Sequence, residues 1–366
     1  MHSDPAATRV AAFDIFLTQF LDAEGQVRAP LPEFARRPET LRQLYRTMVE
    51  TRSFDKRAVA LQRTGQLGTY AACLGQEAIG TGIGYALRPD DIFVPSYREY
   101  AAQFLRGVKM RDILLYWGGD ERGMAYVDSP AQHDFPLSLP SATQLPHAVG
   151  VAYALRLKAQ ARAVLAACGD GATSRGDFYE SISSARIWNL PIVFVVSNNQ
   201  WATSQPRQRQ TGAETLAQKA LAGGLHGEQV DGNDAVAVRF VLERALERAR
   251  GGGGPTLVEA LSYRLHDHST DDDARRYRTE DEVRAAWDRC PIKRLKRYIE
   301  SQGMWSVEEE EALLIETGEL AEQAVQEYLA MPPRPPQAIF EHLYATLPEP
   351  YAAQRDAAGG TAPQGH

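Results

Sequence analysis

Two short apolar runs constrain this chain more than anything else in it. Residues 163–168 end in Gly169-Asp170-Gly171, and residues 191–196 pass through Ser197 into Asn198-Asn199, with a helical stretch over 177–187 between them. Runs of this length that are apolar throughout read as strands buried on both faces. A strand–helix–strand unit of this size joins parallel neighbours. The pattern extends in both directions. Ile92-Phe93-Val94 is a third short strand running into Pro95-Ser96-Tyr97-Arg98. Downstream, Asp231-Gly232-Asn233-Asp234 caps a helix over 235–250, four glycines at 251–254 break the chain, and 256–263 forms a further strand. The expected class is α/β, a mostly parallel central sheet with helices on both faces.

Around this centre the chain divides by texture. Residues 1–35, rich in Ala, Pro and Arg, read as an arm that needs a neighbour to order it. Residues 36–280 carry the α/β domain. It opens on a helix whose Leu41, Leu44, Tyr45, Met48 and Val49 share one face, followed by a second buried helix over 71–87 that stops at Arg88-Pro89-Asp90. Residues 281–350 read as a charged helical extension of the same domain, interrupted by the prolines at 332–336, and 351–366 as a loose tail.

Composition narrows the function classes. Forty Lys+Arg against forty-seven Asp+Glu leave a charge of −7, against the basic face of a general nucleic-acid binder. The strand runs are far too short to span a membrane, and the opening MHSDPAATRV has no apolar core of a signal peptide. Cys73, Cys168 and Cys290, widely spaced and odd in number, suit a reducing cytoplasm and give no disulfide framework.

Parallel strands joined by a helix end on the same edge of the sheet. Asp170 and Asn199 each sit just past a strand end, so their oxygens can converge there. A carboxylate, an amide oxygen and a backbone carbonyl are the hard ligands magnesium uses when phosphates complete its shell. The flanking glycines admit those phosphates to the backbone, and the following helix offers them its N-terminus. Gly, Asp and Asn are also the commonest turn residues; it is the pairing of both turns, each after its own apolar strand, that favours a site. A nicotinamide Rossmann site fits poorly, because Gly169-Asp170-Gly171-Ala172-Thr173-Ser174 lacks the third glycine. Other candidates are ambiguous singly. Arg98 is either a phosphate ligand or half of a surface ion pair, residues 138–144 either a site or a helix cap, and His266-Asp267-His268 either a functional or a solvated loop.

Together these pieces resemble a known family. Gly169-Asp170-Gly171, twenty-six residues and Asn198-Asn199 are similar to the thiamine-diphosphate motif. The chain resembles the α-subunit of the decarboxylating component of 2-oxo acid dehydrogenase complexes, of the pyruvate and branched-chain type. The resemblance runs from about residue 40 to 345 through GQEA (75–78), SYRE (96–99), ATQLPHAVGVAYA (142–154), GDGATSRGDFYE (169–180), NNQWATS (198–204), VDGNDAVAV (230–238) and YRLHDHSTDDDARRYR (263–278). It implies thiamine diphosphate and magnesium as cofactors, the metal held by Asp170, Asn199 and the Trp201 carbonyl. Tyr97, Arg98, Gly171, Ala172 and His268 would meet the diphosphate, with Leu139 and Ser197 nearby, and His268 is the implied catalytic histidine. Ser138, Pro140, Thr143 and Gln144 match a potassium position.

The resemblance further implies an α₂β₂ tetramer with a β-subunit that supplies the activating glutamate, and a lipoyl-bearing acyltransferase core as acceptor. The reaction implied is oxidative decarboxylation of a 2-oxo acid with transfer of the acyl group to the lipoyl arm. Pyruvate is the first substrate reading, since His266 is closer to the pyruvate type, and branched-chain acids the second. Two departures stand out: many members carry a histidine soon after the segment corresponding to 118–127, where this sequence has none before His133 downstream, and position 266 is histidine where branched-chain relatives tend to have glycine. A nicotinamide dehydrogenase and a non-catalytic scaffold of the same fold are the rivals from other classes. The loop at 264–278, charged and poor in apolar residues, is expected to rely on bound diphosphate for its order.

Overall fold

The computed structural model describes residues 8–126 and 129–359. Its strands are β1 (Leu17–Thr18), β2 (Ile92–Val94), β3 (Val164–Gly169), β4 (Ile192–Asn198), β5 (Trp201–Ala202), β6 (Gln205–Pro206), β7 (His226–Asp231) and β8 (Thr256–Leu261). Six of them form one sheet in the order β1-β7-β8-β4-β3-β2, parallel throughout, while β5 and β6 make a small antiparallel hairpin. The helices that matter here are α1 (Pro38–Arg63), α2 (Glu77–Ala86), α3 (Tyr100–Leu105), α4 (Met110–Trp117), α5 (Gln144–Leu157), α6 (Gly176–Ile187), α7 (Lys219–Ala222), α8 (Ala235–Arg250), α9 (Glu280–Trp287), α10 (Pro291–Ser301), α11 (Val307–Leu329) and α12 (Glu349–Gly359).

Alternation along the strands explains the layering. On β3 and β4, Leu165, Ala167, Val193 and Val195 join the core shared with α1, α2, α8 and α10. Their neighbours Val164, Ala166, Cys168, Ile192, Phe194 and Val196 join the opposite core under α5 and α6. Successive side chains point to opposite faces, so a strand covered on both must be apolar at every position, as these are.

The α/β class stands as expected, with three local differences. The segment expected as an arm supplies the outer strand: Leu17 and Thr18 pair with Gln229 and Val230 of β7, and Asp234 accepts from the Phe20 and Leu21 amides at 2.8 and 2.7 Å. The helix expected over 71–87 begins only at Glu77. Gly75 has φ +92°, and a β-carbon there would lie 2.3 Å from the Tyr263 carbonyl, so the chain turns where a helix would clash. Residues 349–359 form α12 where the sequence suggests a loose tail, although none of its residues is buried; the rest of the expected tail, 360–366, lies outside the described residues. Among the described residues no helix is long and apolar enough to cross a membrane.

Candidate active site

Because the sheet is parallel, the chain leaves β2, β3, β4 and β8 at one edge, and the four exits surround a cavity of about 760 Å³. The turn after β3 is its floor. Asp170–Ser174 makes one 3₁₀ turn and delivers the chain into α6. A β-carbon at Gly171 would lie 2.6 Å from that of Ala202, so only glycine lets the β5–β6 hairpin close over this turn. Lys219 Nζ of α7 ties the turn from behind, donating to the Thr173 carbonyl at 2.8 Å and hydroxyl at 2.9 Å. Asp170, Gly171, Ala172, Asn199 and Trp201 all reach the cavity wall.

Asp170 is 2% exposed and takes one side-chain hydrogen bond, from Gln210 Nε2 at 2.9 Å. Burial pushes its carboxyl pKa up against the pull of Gln210 and nearby amides. Asp91 and Asp134, whose side chains are also buried, pair with Arg250 and Arg106; among the described residues Asp170 has no such partner. A buried carboxylate without a countercharge is costly, and a divalent cation in the cavity would supply the charge. Asn199 Oδ1 accepts from the Trp201 amide at 3.2 Å. The Trp201 carbonyl accepts from Arg264 Nη1 at 3.3 Å, which leaves it a second lone pair. The loop carries strain between and just after these two residues: Gln200 and Thr203 hold φ of +73° and +53°, conformations that non-glycine residues adopt at a cost and that cluster at functional sites.

One cation, Arg98, stands on the cavity wall and a second, Arg264, lies buried beside it. Arg98, 7% exposed, donates to the Ala72 carbonyl and, at 2.6 Å, to the His268 carbonyl, with its guanidinium 5.1 Å from the Tyr97 ring centre. Arg264 is fully buried; it spends its donors on the Trp201, Thr203 and His266 carbonyls and the Tyr277 hydroxyl. Both guanidiniums also approach His268 Nδ1, each at 3.2 Å. A guanidinium only donates, so Nδ1 is the acceptor and the ring proton sits on Nε2, 3.5 Å from the Thr203 hydroxyl. Among the described residues neither arginine forms an ion pair with a carboxylate. Burial, then Arg98's charge, lowers the Arg264 pKa to about 10. This excess of positive charge fits an anion.

Burial first, then the charges of Arg98 and Arg264, push the His268 pKa down to about 3 from 6.5. A folded-state pKa below the unfolded one means that the unfolded chain binds the proton more readily. The stability that neutral His268 contributes is therefore complete above pH 6.5 and is lost as pH falls toward 3. His268→Gln should flatten the fall in melting temperature of the cofactor-free protein across that window. Parallel wild-type and variant curves would show that His268 does not titrate there.

Ser138, Leu139, Gln144 and Ser197 also line the cavity, whereas Pro140, which is exposed, and Thr143 are not part of its lining. Thr143 donates to the Pro140 carbonyl at 2.9 Å, its hydroxyl is 3.3 Å from that of Ser138, and Gln144 Oε1 is buried without a partner. Ala142 between them has φ +69°. This small nest of oxygens with one orphaned acceptor fits a cation.

The loop 264–278 carries hydrogen bonds of its own, from Arg264 to Tyr277, from Tyr277 to Asp272, from Ala274 to Asp267 and reciprocally between Tyr70 and Thr270. Its anchors are hydrogen bonds, which a count of apolar residues does not register. His268 is the cavity's one histidine among the described residues. His133 is exposed and outside the wall, and where a second histidine is missing, Gly119, Asp120, Glu121 and Met124 face the cavity. Val127 lies outside the described residues. Sequence reasoning assigned no role to Gln76, Glu99, Gln210 or Arg264. The signal for three of them was position, a charged or amide side chain within a few residues of a strand exit or a helix start; Gln210 gave none.

The model of the dehydrogenase E1 component family matches residues 45–337. Among curated relatives, the chain is 39% identical to a Mycobacterium tuberculosis 3-methyl-2-oxobutanoate dehydrogenase subunit alpha, over 91% of this chain and 89% of the relative. It is 38% identical to an Acholeplasma laidlawii pyruvate dehydrogenase E1 component subunit alpha, over 84% and 90%, and 35% identical to the Staphylococcus aureus protein of that name, over 92% and 91%. With a parallel sheet whose exits join an unpaired carboxylate to a cationic wall, and with matches along nearly its whole length, the chain belongs to the dehydrogenase E1 component family.

Proposed function

We propose that this chain is the α-subunit of a thiamine-diphosphate- and magnesium-dependent 2-oxo acid dehydrogenase, working with a β-subunit in an α₂β₂ assembly and passing its acyl group to a lipoyl-bearing core. The observation that carries the reading is one buried carboxylate without a salt-bridge partner, Asp170, on the wall of the same cavity as the Arg98 guanidinium, with Arg264 fully buried beside that wall. A magnesium diphosphate answers both. Asp170, Asn199 and the Trp201 carbonyl would hold the metal; Arg98, Tyr97, the His268 Nε2–H and the Gly171-Ala172 backbone would hold the diphosphate, with Leu139 and Ser197 beside it. When bound, the cofactor supplies the electron sink for loss of carbon dioxide. The chain binds it, orients it and keeps a neutral His268 at the diphosphate end of the site. Ser138, Pro140, Thr143 and Gln144 would take potassium, on the strength of the orphaned Gln144 Oε1. Buried, unpaired thiols at Cys73, Cys168 and Cys290 support a cytoplasmic setting.

Pyruvate remains the first substrate reading and 3-methyl-2-oxobutanoate the second. The second is favoured by the apolar part of the lining, which includes Ala71, Tyr116, Trp117 and Met124 and would suit a branched chain. The assembled enzyme should prefer pyruvate in kcat/KM by a modest factor, because each methylene in an apolar pocket discriminates by only about 1–3 kcal/mol. Initial rates over a panel of 2-oxo acids decide it, and a clear preference for the branched acid moves the chain to the second reading.

A further inference from the structure

Gln76 has no part in the site as described so far, yet it is held more firmly than a wall residue needs to be. Its predecessor Gly75 turns at φ +92° against the Tyr263 carbonyl. Its successor Glu77, 1% exposed, accepts from the Gly75 amide at 3.0 Å and pairs with Arg52. The Gln76 amide itself donates to the Cys73 carbonyl at 2.9 Å. These bonds fix Gln76 at the start of α2, 4% exposed, on the cavity wall.

Its side chain makes one hydrogen bond. Oε1 accepts from Asn199 Nδ2 at 3.1 Å, while Nε2 is buried without a partner. The direction of that bond is determined on the Asn199 side. The Trp201 amide can only donate, so the Asn199 atom 3.2 Å from it is the oxygen, and the nitrogen must face Gln76. Exchanging O and N on both amides would set two donors, Asn199 Nδ2 and the Trp201 amide, against each other. Gln76 and the Trp201 amide therefore clamp the Asn199 amide from its two ends, and the plane in which Oδ1 can offer its remaining lone pair is set before any ligand arrives. The clamp is worth keeping even at the cost of an unpaired Nε2.

We propose that Gln76 is a positioning residue for the metal site: it orients the Asn199 amide so that Oδ1, and not Nδ2, faces the cation. This rests on the metal assignment made above for Asn199. Groups behind a ligand hold its orientation, and their loss typically costs about 10–100-fold in metal affinity.

The test uses the assembled α/β enzyme with thiamine diphosphate and Mn²⁺ as the probe, free Mn²⁺ being read by electron paramagnetic resonance. Gln76→Met keeps the volume and removes the acceptor, and should weaken Mn²⁺ binding by about 10–100-fold. Gln76→Ala, which removes the acceptor by truncation, should do the same and covers the case in which the methionine variant does not assemble. Gln76→Glu keeps an acceptor for Asn199 Nδ2 and should bind Mn²⁺ at least as tightly as wild type. In an Asn199→Ala background the Gln76→Met change should have no further effect, because there is no amide left to orient. Equal losses in both backgrounds, undiminished affinity in Gln76→Met and Gln76→Ala, or a loss in Gln76→Glu as large as theirs overturns the positioning role. Absence of Mn²⁺ binding by the wild-type enzyme would instead overturn the metal assignment itself.

Discussion

Asp170→Ala should abolish metal-dependent binding of thiamine diphosphate and leave the cofactor-free protein at least as stable as wild type. Both halves follow from the same environment. Asp170 is buried, its one side-chain hydrogen bond comes from Gln210, and burial raises its pKa, so its charge is a burden on the empty fold. With metal present it is the only anionic ligand among the residues assigned to the cation. Removing one partner of a buried charge pair costs about 3–5 kcal/mol, equivalent to affinity lower by on the order of 10²–10³-fold. Isothermal titration of thiamine diphosphate with and without magnesium reads the loss, and thermal unfolding of the cofactor-free protein reads the fold. Unchanged cofactor affinity would remove Asp170 from the metal site, and a large drop in the apo melting temperature would make it a structural residue.

The second large effect concerns the partner. The chain alone should turn over no 2-oxo acid, and mixing it with its β-subunit should restore activity at a stoichiometry of one to one. Among the described residues the cavity's other carboxylates already have partners. Glu99 accepts from the Ser96 amide and hydroxyl and the Ser197 hydroxyl, Asp120 is bound to Arg122, and Glu121 to Arg334. Among them none is free to engage the far end of a cofactor whose diphosphate would lie against Arg98. A cofactor held at one end lacks the fixed geometry from which much of the rate enhancement comes. Steady-state turnover with an artificial electron acceptor, alongside sedimentation of the mixture, tests this. Isolated chain as fast as the mixture would mean that the active site is complete within it.

The linear order of residues determined the frame and brought together the residues proposed for the metal. Apolar runs followed by Gly-Asp-Gly and Asn-Asn specify buried parallel strands and place Asp170 and Asn199 at one edge, because strand direction and the two-residue period of side chains are local properties of the chain. Glycine at 171 reads in the sequence as a turn; that it also admits Ala202 is known only from the fold. What the sequence could not determine is everything that depends on contacts between distant segments. Leu17 and Thr18 are too few to signal a strand, and become one only because β7 offers an open edge. The late start of α2 is imposed by the Tyr263 carbonyl, which is remote in sequence from Gly75. The hydrogen bonds within the 264–278 loop, and the lowering of the His268 pKa by burial and then by the charges of Arg98 and Arg264, arise only where these segments meet across the fold. Gln76 is the sharpest case. In the sequence it is one polar residue within a helix expected over 71–87, and only its 3.1 Å bond to Asn199, across more than a hundred residues, connects it to the proposed metal site.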